Sequence, residues 1–174
     1  MGVSTVRGAT PSDALGIARV HVLTWQSAYQ GLIPDSYLQT LSISSRTENW
    51  TKQLEKSADG TRYFVAELEG EILGFGTVGT SGDEDSSSDV GELYAIYVLP
   101  DRQGSGIGSA LLDAGLDFLK NENFKSVTLW VLETNHTSRR WYESRGWQLE
   151  GGFKSEERDG FQLHQIRYVL NLDD

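Results

Sequence analysis

The chain has 174 residues, 38% of them hydrophobic and 23% charged, a balance that builds one full-sized globular core and requires no second. Its formal charge of −10 opposes nucleic acid, and its lack of cysteine excludes disulfides, thiolate metal sites and a cysteine nucleophile. No apolar run approaches the roughly 20 residues of a membrane span, and the first residues lack a secretory signal, so a cytoplasmic protein without a membrane partner is expected.

Residues 3–8 alternate weakly and predict a first strand. Thr10 as N-cap and Pro11 at the first helical position then open a helix through "TPSDALGIARVHVLTWQSAYQ". Leu15, Ala18, Val22, Trp25 and Tyr29, spaced three and four apart, are its expected apolar stripe. "GLIPD" ends it, and two further helices are expected over 35–41 and 44–57. "RYFVAEL" and "EILGFGTVG" read as strands joined at the tight turn Glu69-Gly70, and the acidic "TSGDEDSSSDV" as a mobile loop. "GELYAIYVL" is an apolar strand ended by Pro100. A helix over 104–121 follows, with Ile107, Leu111, Leu112, Leu116 and Leu119 as its buried stripe. Next come the strand "KSVTLWVL" and the short helix "NHTSRRWYESRG", closed by Gly146. The last two strands, "WQLEGGFKSE" and "FQLHQIRYVL", flank the turn "ERDG". Hairpins cannot build a purely parallel sheet. The order therefore predicts one α/β (α+β) domain over residues 1–174, with a mixed, mostly antiparallel sheet of about seven strands, flanking helices and one βαβ unit.

That unit contains "DRQGSGIGSALLDAGL". Gly104, Gly106 and Gly108 occur at every second position just before a helix, where glycine permits sharp bends and close approach of a ligand. The helix N-terminus behind them presents unpaired N–H groups and the positive end of the macrodipole, a combination suited to phosphate. The spacing does not match the G-x-G-x-x-G of dinucleotide folds, and there is no lysine for a nucleoside-triphosphate loop. On these residues alone, a plain strand-to-helix connection stays open beside a phosphate site. His21, His136 and His164 are scattered without metal-ligand spacing, so no metal is expected.

"IYVLPDRQGSGIGSALL" resembles the acyl-CoA signature of the GCN5-related N-acetyltransferase (GNAT) family, Q/R-x-x-G-x-G/A after a strand, with Gln103, Gly106 and Gly108 at the pattern positions. "VLETNHTSRRWYESRGW" is similar to the family's N-x-x-A-x-x-x-Y-x-x-x-G-F. Asn135, Tyr142 and Gly146 match it, while Ser138 replaces alanine and Trp147 replaces phenylalanine. The element order fits the family's fold over nearly the whole chain. The resemblance implies acetyl-CoA as cosubstrate, with its pyrophosphate among the backbone N–H groups of Gly104, Ser105, Gly106, Ile107, Gly108 and Ser109. It places the pantetheine arm against Ile96, Tyr97 and Val98, with Gln103, Asn135 and Ser138 nearby. Arg102, Arg139, Arg140 and Arg145 are available to compensate the phosphate charge.

Acyl transfer from a thioester to an amine needs a neutral amine, a stabilised oxyanion and a proton for the departing thiolate. At pH 7 an alkylammonium of pKa near 10.4 is neutral in about one molecule per few thousand, a deficit of roughly 4–5 kcal/mol. A base is therefore valuable. Glu92 stands where the family's histone-type members carry a basic glutamate, and it reads equally well as a solvent-facing carboxylate at a strand end. His21 and His164 are lesser alternatives. Asn135 and Tyr142 lie almost two helical turns apart on one face, which makes Tyr142 the candidate acid for the sulfur. An N-cap at Asn135 and amphipathic packing at Tyr142 account for the same pair structurally. The oxyanion donor falls to a backbone N–H of the 96–98 strand.

In the family, the segment matching "HVLTWQSAYQGLIPDSYL" walls the acceptor pocket, which sets Trp25, Tyr29 and Tyr94 against the acceptor; core packing serves each of them as well. An acidic, aromatic pocket suits polyamine-like or other cationic amines. The expected activity is transfer of acetyl directly to the primary amine of a small molecule, because no cysteine exists to form an acyl-enzyme. Acetylation of a protein N-terminus or lysine is the alternative, followed by a non-catalytic CoA-binding sensor. A homodimer is expected by family analogy alone.

Overall fold

A computed structural model describes residues 2–56 and 60–173. Its strands are β1 (Thr5–Gly8), β2 (Arg62–Leu68), β3 (Glu71–Thr80), β4 (Val90–Val98), β5 (Ser126–Leu132), β6 (Gln148–Arg158) and β7 (Phe161–Asn171). Its helices are α1 (Ala14–Ala28), α2 (Asp35–Thr40), α3 (Ile43–Glu55), α4 (Ile107–Asn121) and α5 (His136–Glu143). The strands form one sheet in the order β1-β2-β3-β4-β5-β7-β6. Every neighbouring pair is antiparallel except β4 and β5, which α4 connects. The sheet is thus mixed and mostly antiparallel, with seven strands and one βαβ unit.

Alternation along β3 explains why helices cover both faces. Gly74 and Gly76 face Leu111 of α4, while Phe75 packs against His21 of α1 and Trp50 of α3. Ile107, Leu111, Leu112 and Leu119 of α4 are buried, as their spacing predicts. Two-residue turns close the hairpins: Glu69 and Gly70 have φ of 50° and 85°, Asp159 and Gly160 47° and 85°, the left-handed pair that matches strand twist.

Three expectations about burial and element bounds change. Leu15 is 62% exposed, and the buried positions of α1 include Ala14, Ile17, Ala18, Val20 and Val22. α1 is wedged between the sheet and α3, so its buried face is wider than one stripe and Leu15 falls outside it. The helix expected from 104 begins at Ile107, because Gly104 and Gly106 take left-handed backbone with φ of 77° and 86°. The first strand starts at Thr5. α3 ends at Glu55, and its expected end at residue 57 lies outside the described residues.

The acidic loop after β3, expected to be mobile, is tied down. Arg167 of β7 holds Asp83 at 3.1 Å and Asp85 at 2.7 Å, and also Glu150 of β6 at 2.7 Å. Trp130 Nε1 of β5 donates to Asp83 at 3.0 Å, and Gly82 N to Glu92 Oε2 at 3.1 Å. Asp83 and Asp85 find partners on strands far along the chain, which composition could not place.

Candidate active site

β4 and β5 pair only at Val90↔Ser126, Gly91↔Val127 and Glu92↔Thr128. They part where β4 is bulged: Leu93 opposes Val78 and Ala95 opposes Thr77, so Tyr94 is the extra residue. From there to Val98, β4 keeps β3 on one side and has no strand on the other. Backbone N–H and C=O groups on that edge are open to a ligand. The wedge widens into a cleft of about 1170 Å³, which Trp25, Tyr29, Tyr94, Ile96, Tyr97 and Val98 help to line.

One end of the cleft is built for an anion. A Cβ added at Gly104 or Gly106 would meet nothing within 4 Å, so conformation rather than crowding calls for glycine there. The first backbone bond of α4 runs from Ala110 N to Gly106 O at 3.0 Å, leaving the N–H groups ahead of it for a ligand. Gly108 and Ser109 also line the cleft. Ser105 and Ile107 turn their side chains away: Ser105 Oγ donates to Arg102 O at 2.5 Å, and Ile107 is buried in the core. Gln103 Nε2 donates to Val98 O at 3.2 Å. Arg145 donates to Ser109 Oγ at 2.7 Å and lies 3.9 Å over the Trp141 ring. Arg102 and Arg145 line this end, whereas Arg139 is spent on Glu133 O and the Tyr168 hydroxyl, and Arg140 lies outside the lining. Asn135 caps α5, its side-chain oxygen accepting from Ser138 N at 3.2 Å, and both residues line the cleft.

At the other end three phenols converge. Tyr142 sits edge-on between Trp141 (5.1 Å) and Trp147 (5.7 Å), and its hydroxyl has no hydrogen-bond partner among the described residues. Burial, with the nearby Tyr97 hydroxyl, raises its pKa above that of an ordinary phenol. Tyr97 is raised by burial, and Tyr29 by burial and by Tyr97 and Tyr142. Trp25 meets Tyr29 edge-on at 4.8 Å, and its buried Nε1 has no partner among the described residues. Tyr94 donates its hydroxyl to Thr80 O.

Glu92 lies at the closed apex of the wedge, opposite Thr128, and is not among the lining residues. It is 8% exposed, and burial raises its carboxyl above the ordinary range against the opposing hydrogen bond from Gly82. His21 is packed among Trp25, Trp50, Phe75 and Tyr97 and accepts from Trp50 Nε1 at 3.2 Å. Burial, then Arg46 and Arg158, lowers its pKa to about 4, so it stays neutral. His164 is exposed and stacks on Phe153. Neither histidine lines the cleft.

The lining also includes residues that the sequence reading passed over. His136, Trp130 and Trp141 contribute, as do Glu156 at the end of the expected strand and Arg158 in the expected turn, both of which belong to β6. No local pattern marks them; the β6–β7 register brings them back. Despite the chain's net charge of −10, the lining holds Arg102, Arg145 and Arg158 against Glu156 alone among the acids. Among the described residues no group of three or more His, Asp or Glu is placed to hold a metal, and no helix is long and apolar enough to cross a membrane.

Residues 23–147 match the model of the acetyltransferase (GNAT) family. An uncharacterized N-acetyltransferase of Bacillus subtilis, YuaI, is 40% identical over 132 residues, 75% of this chain and 73% of that protein. An uncharacterized N-acetyltransferase of Archaeoglobus fulgidus is 33% identical over 141 residues, 80% of this chain and 90% of that one. The fold is shared with yncA of Salmonella typhimurium, solved with its cofactor acetyl-CoA, at a TM-score of 0.72 and 21% identity over 99% of this chain and 95% of that one.

Proposed function

The chain belongs to the GNAT acetyltransferase family and uses acetyl-CoA as its acyl donor, and we propose that residues 1–174 form a single domain passing acetyl directly to the primary amine of a small molecule. One observation carries this reading. The open β4 edge from Leu93 to Val98 runs between an anion-binding turn at one end and Tyr142 with its aromatic neighbours at the other.

Acetyl-CoA supplies an activated thioester. The N–H groups of residues 104–109 hold its pyrophosphate, with Arg102 and Arg145 beside them. Ile96, Tyr97 and Val98, with Gln103, Asn135 and Ser138, orient the pantetheine arm, and an N–H of that edge stabilises the oxyanion. Tyr142, kept protonated by burial, donates to the departing sulfur. Glu92, a stronger base than an ordinary carboxylate because it is buried, takes the amine's proton through water, since its side chain stands off the lining. Trp25, Tyr29 and Tyr94 wall the acceptor. Arg158 and Glu156 of β6 stand in the wall beside Tyr29, which suits a small molecule at this end. A polyamine-like acceptor, expected from net charge, gains no support from a lining whose one acid, Glu156, is paired with Arg158.

The test is release of CoA thiol from acetyl-CoA across polyamines, aminoglycosides, amino acids and short peptides. The chain has no thiol of its own to add background. Saturable release with one class of small amine is expected. Release with peptides alone, or silence while acetyl-CoA still binds, overturns the proposal.

A further inference from the structure

We propose that the acceptor carries a carboxylate as well as its amine, and that Arg158 binds that carboxylate at the acceptor end of the cleft. This rests on the amine-acetyltransferase reading above. Arg158 is the last residue of β6 and pairs with Phe161 across the hairpin, which returns its side chain to the cleft wall. Its guanidinium stands 5.9 Å over the Trp25 ring, with the Tyr37 hydroxyl beside it. A cation drawn into an aromatic, partly dry wall calls for an anion.

The protein only partly supplies one. Arg158 Nη2 donates to Glu156 Oε1 at 2.8 Å, and Glu156 is itself 47% exposed. A planar guanidinium offers five N–H donors, so most of the fork remains for a ligand. Asp83, Asp85 and Glu150 are held by Arg167 and do not line the cleft. The acceptor end therefore holds a guanidinium that Glu156 engages on one side only, and a fork of parallel N–H donors matches a carboxylate. Tyr29, Tyr142 and Arg158 line the same cleft, so one molecule with an amine at the thioester and a carboxylate at Arg158 can meet both.

The experiment compares amino acids with their carboxamides and with the corresponding decarboxylated amines, at saturating acetyl-CoA, by thiol release. It uses the unaltered chain, Arg158→Gln and Arg158→Lys. For the unaltered chain kcat/KM for the acid exceeds that for the amide and the amine by about 10- to 100-fold, mainly through KM. Arg158→Gln brings the three together by raising KM for the acid, with KM for acetyl-CoA and the melting temperature unchanged, and Arg158→Lys restores part of the preference. Equal or faster transfer to the decarboxylated amines, or a preference that survives Arg158→Gln, overturns the carboxylate inference and leaves amine acetylation standing. Silence with every amine overturns both.

Discussion

Replacing Tyr142 by phenylalanine removes one oxygen from a ring that stays wedged between Trp141 and Trp147. That hydroxyl makes no hydrogen bond within the described residues, so its loss changes stability by no more than about 0.5 kcal/mol. The kinetic effect is much larger if the phenol protonates the leaving sulfur. General acid catalysis contributes about 10²- to 10⁴-fold, or roughly 3 to 5 kcal/mol of barrier. The assay is thiol release with the best amine found, giving kcat and both KM values, alongside thermal unfolding. The expected result is a fall in kcat of at least about a hundredfold, with KM for acetyl-CoA and the melting temperature unchanged. Because burial raises the phenol above its ordinary pKa of about 10, activity of the unaltered chain shows no loss from Tyr142 ionisation up to about pH 9.5. A kcat within threefold of normal places the acid elsewhere, and a large fall in melting temperature makes Tyr142 structural instead.

Gly106→Ala forces a side chain into backbone at φ of 86° without any clash, so it costs about 1–2 kcal/mol of strain, and chemical denaturation together with a raised KM for acetyl-CoA reads the effect. Arg167→Met releases the carboxylates that tie down the acidic loop and lowers the melting temperature at pH 7. Arg167 holds Asp85 and Glu150 below the ordinary carboxylate pKa, so their contribution is present above about pH 4 and is lost as pH falls through the lowered values. The gap between the two proteins must narrow at pH 3; an unchanged gap shows that packing, not pairing, was lost. Glu92 has a raised folded pKa, so its stability contribution is full at low pH and lost as pH rises through that value. Glu92→Gln keeps an oxygen for Gly82 N and should melt no lower than the unaltered chain at pH 8. Its kcat should fall at least about tenfold and lose its acidic limb, and normal turnover would remove Glu92 from proton transfer.

The glycine turn at one end of the cleft was legible in the sequence because its determinants are local. Left-handed backbone at Gly104 and Gly106, the α4 N-terminus behind them and the Asn135 cap each follow from a few adjacent residues. The strands and the mixed sheet were legible for the same reason, since alternation and turn residues act over short spans. The opposite end was legible only in part: the family resemblance named Trp25, Tyr29, Tyr94 and Tyr142, which all line the cleft, but nothing local pointed to Arg158. Trp25 comes from α1 and Tyr29 from the residue that caps it, Tyr97 and Tyr142 from opposite sides of the β4–β5 split, and Arg158 from the last residue of β6. Their meeting depends on a bulge at Tyr94 and on the β6–β7 register, neither of which leaves a local pattern. Charge behaves likewise: composition sums to −10, but only packing decides that Arg167 gathers the acids of the loop while Arg158 faces the cleft. Short-range conformational preference is written residue by residue, whereas a field inside a cleft is a sum over distant chain segments that exists only once they are packed.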